Sequence, residues 1–336
     1  MFLLARKLLF HLDAERAHNH TLQVLSLAAK FGLLSKKPMV GSNQMELAGL
    51  KFPNRVGLAG GMDKNGTLLD AWAQFGFGFA EIGTVTPKPQ NGNPKPRMFR
   101  LMEDEAIINR MGFNNAGLTQ LALRFKQRQH TGFILGANLG KNKSTENHLA
   151  ESDYCLGMQT LFPYADYFTI NISSPNTPGL RELQQAERIK TLLTALVSFR
   201  NDLPLRRPVF VKIDPDLPDL DLYPVLESIG SAEADGLIAT NTTLSRPGTL
   251  KSIYSAEPGG LSGSPLFDMA LERVAKIRNF YGPSFPLMGV GGIDSLERGQ
   301  TMIQAGADAI QVYSGFVFKG PTLIKQLALS LPLPAN

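Results

Sequence analysis

Eight short runs, each almost continuously apolar and most followed by a stretch of helix length, constrain this chain more than any other feature. In order they are "RVGLAGG", "FAEIGTVT", "FILGANLG", "YFTINISS", "VFVKIDP", "GLIATNT", "LMGVGGI" and "AIQVYSG", beginning near Asn54. A strand solvated on one face alternates apolar and polar residues, whereas a strand buried on both faces reads as a continuous apolar run. Between the runs, residues 66–74, 184–200, 267–280 and 296–305 carry helical spacing. Such units over roughly 280 residues predict an α/β fold of the (β/α)8 TIM barrel type, whose usual length is about 250. A doubly wound sheet is the other parallel arrangement, but no G-x-G-x-x-G turn follows the first run.

Polar residues collect where each run ends, the rim on which barrels of this kind carry their sites. The fourth run ends in "NISSPNTPGL", residues 171–180, where amides, hydroxyls and prolines crowd together. A turn needs one or two such residues, so this loop reads as a surface built to hold something polar. Between the second and third runs, "PKPQNGNPKPRMFRLMEDEAIINRMGFNN" is too long for a simple connection. It predicts an extended arm and a hairpin over the rim, as functional lids often are.

Residues 1–42 lie outside the alternation and residues 43–336 contain it, giving a helical extension and a barrel. Leu4, Leu8 and Leu12 form one stripe, with Arg6, Lys7 and Arg16 beside them, and Leu22, Leu25 and Ala29 form another. Asp13 is placed to cap the second helix. Two readings stand: helices that bury their stripes on the barrel, or a basic amphipathic hairpin on a membrane surface.

Composition limits the chemistry. A net charge of +5 and a pI near 9.2 favour anionic partners, yet no Lys/Arg run has the density of a nucleic-acid arm. The single cysteine, Cys155, excludes internal disulfides, thiolate zinc sites and iron–sulfur clusters held by this chain. No histidine pair has the i, i+4 spacing of a helical metal site, so no metal is expected. No run approaches the roughly 20 apolar residues of a membrane span, and Arg6 and Lys7 interrupt the apolar start. An intracellular protein is expected.

Glycine-rich "GVGGID" follows the seventh run and "YSGFVFKGP" the eighth, the two places where barrels bind phosphate. Alternation turns Phe210 and Lys212 to one side of the fifth strand, and an inward lysine needs an anionic partner. Asp214 is near in sequence, and the anionic edge of a reduced flavin would serve equally. Thr84, Asn138, Asn171 and Thr240, joined by Asn109, Asn114, Asn176 and Asn241, offer uncharged donors and acceptors for a flat ring rich in carbonyl and amide groups.

"AGGMDKNG", "EIGTVTPKPQNGNPKPRMFRL", "INRMGFNN", "NLGKNK", "NISSPNTPGLR", "IATNTT", "GGLSGSPL", "GVGGIDS" and "YSGFVFKGP" occur in this order. Together they closely resemble the quinone-dependent, membrane-associated (class 2) dihydroorotate dehydrogenases in their bacterial form, over essentially the whole chain. The resemblance implies FMN as cofactor, oxidation of dihydroorotate to orotate in pyrimidine synthesis, and ubiquinone or menaquinone as acceptor. It implies Ser174 as the base that removes the C5 proton while the C6 hydride passes to flavin N5, with Thr177 as relay and Phe113 as gate. Gly60, Gly61, Met62, Asp63, Lys64, Thr84, Asn138, Asn171, Lys212, Thr240, Gly263, Gly292, Tyr313 and Ser314 match the flavin positions. Lys64, Asn109, Arg110, Met111, Gly112, Phe113, Asn114, Asn171, Asn176, Asn241 and Thr242 match the substrate positions. The resemblance further implies a monomer, peripheral on the cytoplasmic face of the inner membrane and held by anionic lipid, without an iron–sulfur partner subunit. Ala14, Gly60 and Met62 depart mildly from the family pattern. Asp214 departs more, and is expected to set a carboxylate near the flavin's anionic edge. A flavin-free phosphate-binding barrel, a non-catalytic barrel and a base-reducing flavoenzyme remain as alternatives.

Overall fold

The computed structural model describes residues 2–33, 44–128 and 132–332, with side chains from Arg6 onward. Eight parallel strands close a barrel in chain order: β1 Val56–Leu58, β2 Phe79–Val85, β3 Ile134–Leu139, β4 Tyr167–Asn171, β5 Val209–Ile213, β6 Gly236–Ala239, β7 Leu287–Val290 and β8 Ala309–Val312. Each coincides with one of the eight apolar runs. The register sets Gly83 beside Asn138, Asn138 beside Thr169, and Asn171 beside Lys212, so the polar strand ends share one level.

Below that level the barrel is filled by rings and glycines in alternation. A Cβ on Gly57 would lie 2.2 Å from the Phe79 ring, and one on Gly136 2.1 Å from the Tyr167 ring. Only glycine leaves these rings room to fill the barrel at the density of a protein interior. The antiparallel pair Met45–Leu47 and Leu50–Phe52 closes the bottom, and Phe52 meets Phe79 edge-on with ring centroids 5.1 Å apart.

Helices form where the spacing expects them, at Ala186–Asn201, Phe267–Tyr281 and Leu296–Gln304. Residues 66–74 differ: they hold turns and the start of a 3-10 segment, Trp72–Phe75, rather than an α-helix. The reason is local. The buried Asp63 carboxylate accepts from the backbone N–H groups of Thr67 (2.8 Å) and Leu68 (2.9 Å) and from the Trp72 indole (3.1 Å). Together with Gly66 at φ 67°, this fixes a tight coil where a helix would have to start.

The long insertion makes the expected hairpin, Met98–Leu101 with Ala106–Asn109, and Gly260–Gly263 extends it to three strands. Ahead of the barrel come α1, Phe2–Phe10, and α2, Ala14–Lys30, the latter capped by Asp13 through the Arg16 N–H (2.9 Å). Leu22, Leu25 and Ala29 pack against the barrel core while Leu8, Val24, Leu27, Phe31 and Leu33 are exposed. The extension thus has one face on the protein and another free. The boundary expected at residue 42 lies outside the described residues. Among the described residues no helix is long and apolar enough to cross a membrane.

Candidate active site

Glu81 anchors the floor of the site. It points inward from β2 with no exposed surface, where a bare carboxylate would be costly. Four side chains compensate it: Asn138 (2.6 Å) and Lys212 (3.2 Å) donate to Oε1, and Gln311 (2.9 Å) and Thr169 (3.0 Å) donate to Oε2. The partner that Lys212 requires is therefore Glu81, three strands earlier in the chain. Asp214 is otherwise engaged. It accepts from Gln184 (2.5 Å), lies 3.4 Å from Arg181, and does not line the cavity, which corrects the expectation of a carboxylate at the flavin edge. Burial raises its carboxyl above the usual range despite Arg181.

Above the floor lies a sheet of neutral groups. Asn138 Oδ1 accepts from Thr84 (2.5 Å) and Asn171 (3.2 Å), and Asn171 also donates to Thr84 (2.9 Å). Asn241 bridges Asn171 Oδ1 (3.2 Å) and the Ser173 hydroxyl (2.9 Å). Ser174 Oγ accepts from the Asn176 N–H at 3.3 Å, and the Asn176 amide donates to Asn109 at 3.3 Å. All of these except Asn138 and Ser173 line one cavity.

The same cavity takes in Gly60, Gly61, Lys64, Lys212, Thr240 and Thr242. Lys64 donates to the Gly61 carbonyl at 2.9 Å. Burial pushes its amine down to about 8, with Glu15 and Asp63 working against that and Arg97 with it. Met111, Gly112 and Phe113 reach in from the hairpin side. Phe113 has left-handed backbone (φ 54°), uncommon for a bulky residue. Its carbonyl is held there by the amides of Asn115 (2.7 Å) and Gln90 (3.1 Å).

Gly263, Gly292, Tyr313 and Ser314 line the opposite wall. A Cβ on Gly292 would come 2.6 Å from Phe267 backbone, and one on Gly263 2.3 Å from the Glu105 carbonyl. These loops can only be glycine. Ser314 and Gly315 begin the helix Ser314–Lys319, where first-turn amides lack intrahelical acceptors. A cradle of glycine backbone and free amides beside a wall of neutral side chains fits a phosphate-bearing planar cofactor.

Other expected residues stand elsewhere. Met62 lines a second cavity, and Asp63 is turned into its coil, so neither side chain reaches the first. Asn138 lies one layer behind the lining. Arg110 pairs with Glu257 (2.7 Å) and stacks over Phe99 (4.6 Å). The Asn114 carbonyl oxygen and the Thr177 hydroxyl are buried without a hydrogen-bond partner among the described residues, and neither side chain lines the cavity. Glu81, Thr169, Ser262 and Gln311 were not singled out in the sequence. Strict alternation along β2, which turns Phe79, Glu81 and Gly83 inward, was the signal available for Glu81.

The second cavity lies between the extension and the barrel. Leu9, Phe10, Leu22, Leu25, Met62 and Phe316 make it largely apolar, with Arg6, His18 and Arg100 as polar points. Burial, aided by the nearby Lys64 charge, pushes His18 down to about 3, so it is neutral. Tyr313 lines both cavities.

The family model described as dihydroorotate dehydrogenase matches residues 42–333. A Brucella anthropi protein named dihydroorotate dehydrogenase (quinone) is 46% identical over 334 residues, covering 98% of this chain and 90% of its own. A Brucella melitensis protein of the same name is 46% identical over 325 residues, covering 95% and 88%. Among solved structures, an Eimeria tenella DHODH in complex with ferulenol superposes with a TM-score of 0.87 at 38% identity, over 94% of this chain and 90% of that one. The ligand-free Eimeria tenella form gives 0.87 at 39%, over 94% and 93%.

Proposed function

The chain belongs to the dihydroorotate dehydrogenase family, and from that premise we propose how it works. It is a flavin-dependent oxidoreductase that oxidises dihydroorotate and delivers the electrons to a quinone. Its flavin is FMN. The glycine loops at Gly263 and Gly292, with the amides of Ser314 and Gly315, hold the phosphate, while Gly60, Gly61, Thr84, Thr240 and Lys212 surround the ring. Bound there, FMN would supply the two-electron acceptor, taking the C6 hydride at N5.

Lys64 pairs with the substrate carboxylate, a charge-assisted contact. Asn109, Asn171, Asn176 and Asn241 satisfy the carbonyl and N–H edges of the pyrimidine, with Thr242 beside them. Ser174 Oγ takes the C5 proton and releases its own toward Thr177. A hydroxyl is a weak base, so Phe113 and the hairpin must exclude bulk water for the transfer to proceed. The quinone, ubiquinone or menaquinone, occupies the apolar second cavity, and its electrons cross the Tyr313 side. The enzyme is a monomer, peripheral on the inner face of the cell membrane.

One observation carries this reading: Ser174, Lys64 and four asparagine amides converge in a single cavity walled by glycine loops. Ser174→Ala is the test. The variant should keep its flavin and its affinity for orotate, while anaerobic flavin reduction by dihydroorotate slows by about 10²–10⁴-fold. Ser174→Cys should retain part of the rate, because a thiolate can also accept the proton. Near-normal reduction by Ser174→Ala would show that the proton goes elsewhere.

A further inference from the structure

Arg97, on the arm that leads into the hairpin, is 6% exposed and every nitrogen is occupied. Its Nε and Nη2 donate to the two carboxylate oxygens of Glu15 at 3.0 and 2.6 Å, a forked contact to helix α2. Its Nη1 donates to the carbonyls of Asn91 (2.5 Å) and Asn93 (2.8 Å). Glu15 is itself only 5% exposed, so the pair is withdrawn from water on both sides.

Asn93 carries the connection onward. Its side-chain amide donates to the Arg110 carbonyl and to the Asn176 carbonyl, both at 3.0 Å. Its backbone N–H donates to the Met111 carbonyl at 3.0 Å. The chain of contacts thus runs from the helical extension to the loop that bears Ser174 and Asn176, and to the strand end that bears Asn109. There is little slack in it. A Cβ on Gly92 would sit 2.9 Å from Arg97 Nη1, and one on Gly112 2.8 Å from the Asn93 amide carbon. The negative charge of Glu15 also favours the charged form of Lys64.

We propose that Glu15 is a positioning residue for the pyrimidine site, acting through Arg97 and Asn93, so that the docked extension sets how tightly the substrate is held. The proposal rests on the reading of the Asn176 loop as the pyrimidine site. It gives the extension a role in the first half-reaction, separate from any role in admitting quinone. Buried, hydrogen-bonded charge pairs of this kind act as a unit, and removing one member leaves the other uncompensated. Coupling between two sites is commonly worth about 5–150-fold in affinity.

The experiment uses the full-length FMN-loaded enzyme with orotate as probe, its binding read from the flavin spectrum, and stopped-flow reduction by dihydroorotate. Glu15→Gln should raise the orotate Kd and the dihydroorotate concentration for half-maximal reduction by about fivefold or more. The saturated reduction rate and the reoxidation by a small soluble quinone should change by less than about twofold. Asn93→Ala leaves the Glu15–Arg97 pair intact and serves where Glu15→Gln folds poorly; it should show the same split. The double variant should be no weaker than the worse single variant, because both changes cut one chain of contacts. A folded Glu15→Gln or Asn93→Ala enzyme with unaltered orotate affinity, or strictly additive effects in the double variant, overturns the proposal. Asn176→Ala separates the two levels. If it binds orotate normally, the reading of the loop fails and the coupling falls with it; if it binds weakly while the other two bind normally, the coupling alone is wrong.

Discussion

Two lysines in one cavity carry opposite burdens. Lys64, on the proposed substrate side, has an amine that burial has brought down to about 8, below the ordinary 10.5. Below that value it is charged and can pair with a carboxylate; above it the free enzyme must take up a proton to bind. Orotate and dihydroorotate affinity should therefore be flat up to about pH 8 and weaken above it, by up to about tenfold per unit. A titration of orotate Kd from pH 6.5 to 9.5 reads this directly, and Lys64→Met should remove the break. Lys212 is already paired, with Glu81, so its removal strands a carboxylate that has no exposed surface. Lys212→Ala should lose FMN and about 3–5 kcal/mol of stability. Adding Glu81→Gln should return much of the melting temperature but not the FMN affinity, which distinguishes structural pairing from a role toward the flavin. The asparagines were legible in the sequence because they cluster after strand ends. Glu81 was not, since a single carboxylate inside "FAEIGTVT" looks like any other charge until the barrel closes and four other strands aim donors at it. Asp214 misled for the converse reason: proximity in sequence to Lys212 said nothing about the turn that gives it to Arg181 and Gln184.

Strands were easier to read than the first connection. A parallel strand buried on both faces announces itself through continuous apolar residues, and all eight barrel strands coincide with such runs. Residues 66–74 have the right spacing for a helix, yet the side chain of Asp63 captures the N–H groups that would begin it. Periodicity reports which face can be buried; it does not report which backbone donors a preceding carboxylate will take. The hairpin over the rim was foreseeable from its length and prolines. That Gly260–Gly263 would join it as a third strand, from far along the chain, was not, because nothing local encodes a partner that distant. Of the two readings of the extension, packing on the barrel accounts for the partly buried Leu22 and Leu25 of α2, while Val24 and Leu27 stay in solvent.

At the scale of the whole molecule, that free face and the net charge of +5 act together. Leu8, Leu27 and Phe31 are 73%, 54% and 76% exposed, an apolar set that fits the proposed place at the boundary of an anionic bilayer. The Leu8→Glu, Phe31→Glu variant should lose co-sedimentation with vesicles containing phosphatidylglycerol, and reduce long-tailed quinone slowly, while small soluble acceptors and orotate affinity are unaffected. Binding that is indifferent to these changes, or to raising the salt from 0.05 to about 0.5 M, would count against a membrane-facing extension. Tyr313 adds a further consequence. It is a wall common to both chambers, and on the proposed assignment a shared wall would make the protein a relay station with one chamber for each of its two clients. The donor need not have left before the acceptor arrives, and neither has to fit the other. On that assignment a water-soluble acid and an oily ring would trade electrons while each remains in the phase that dissolves it.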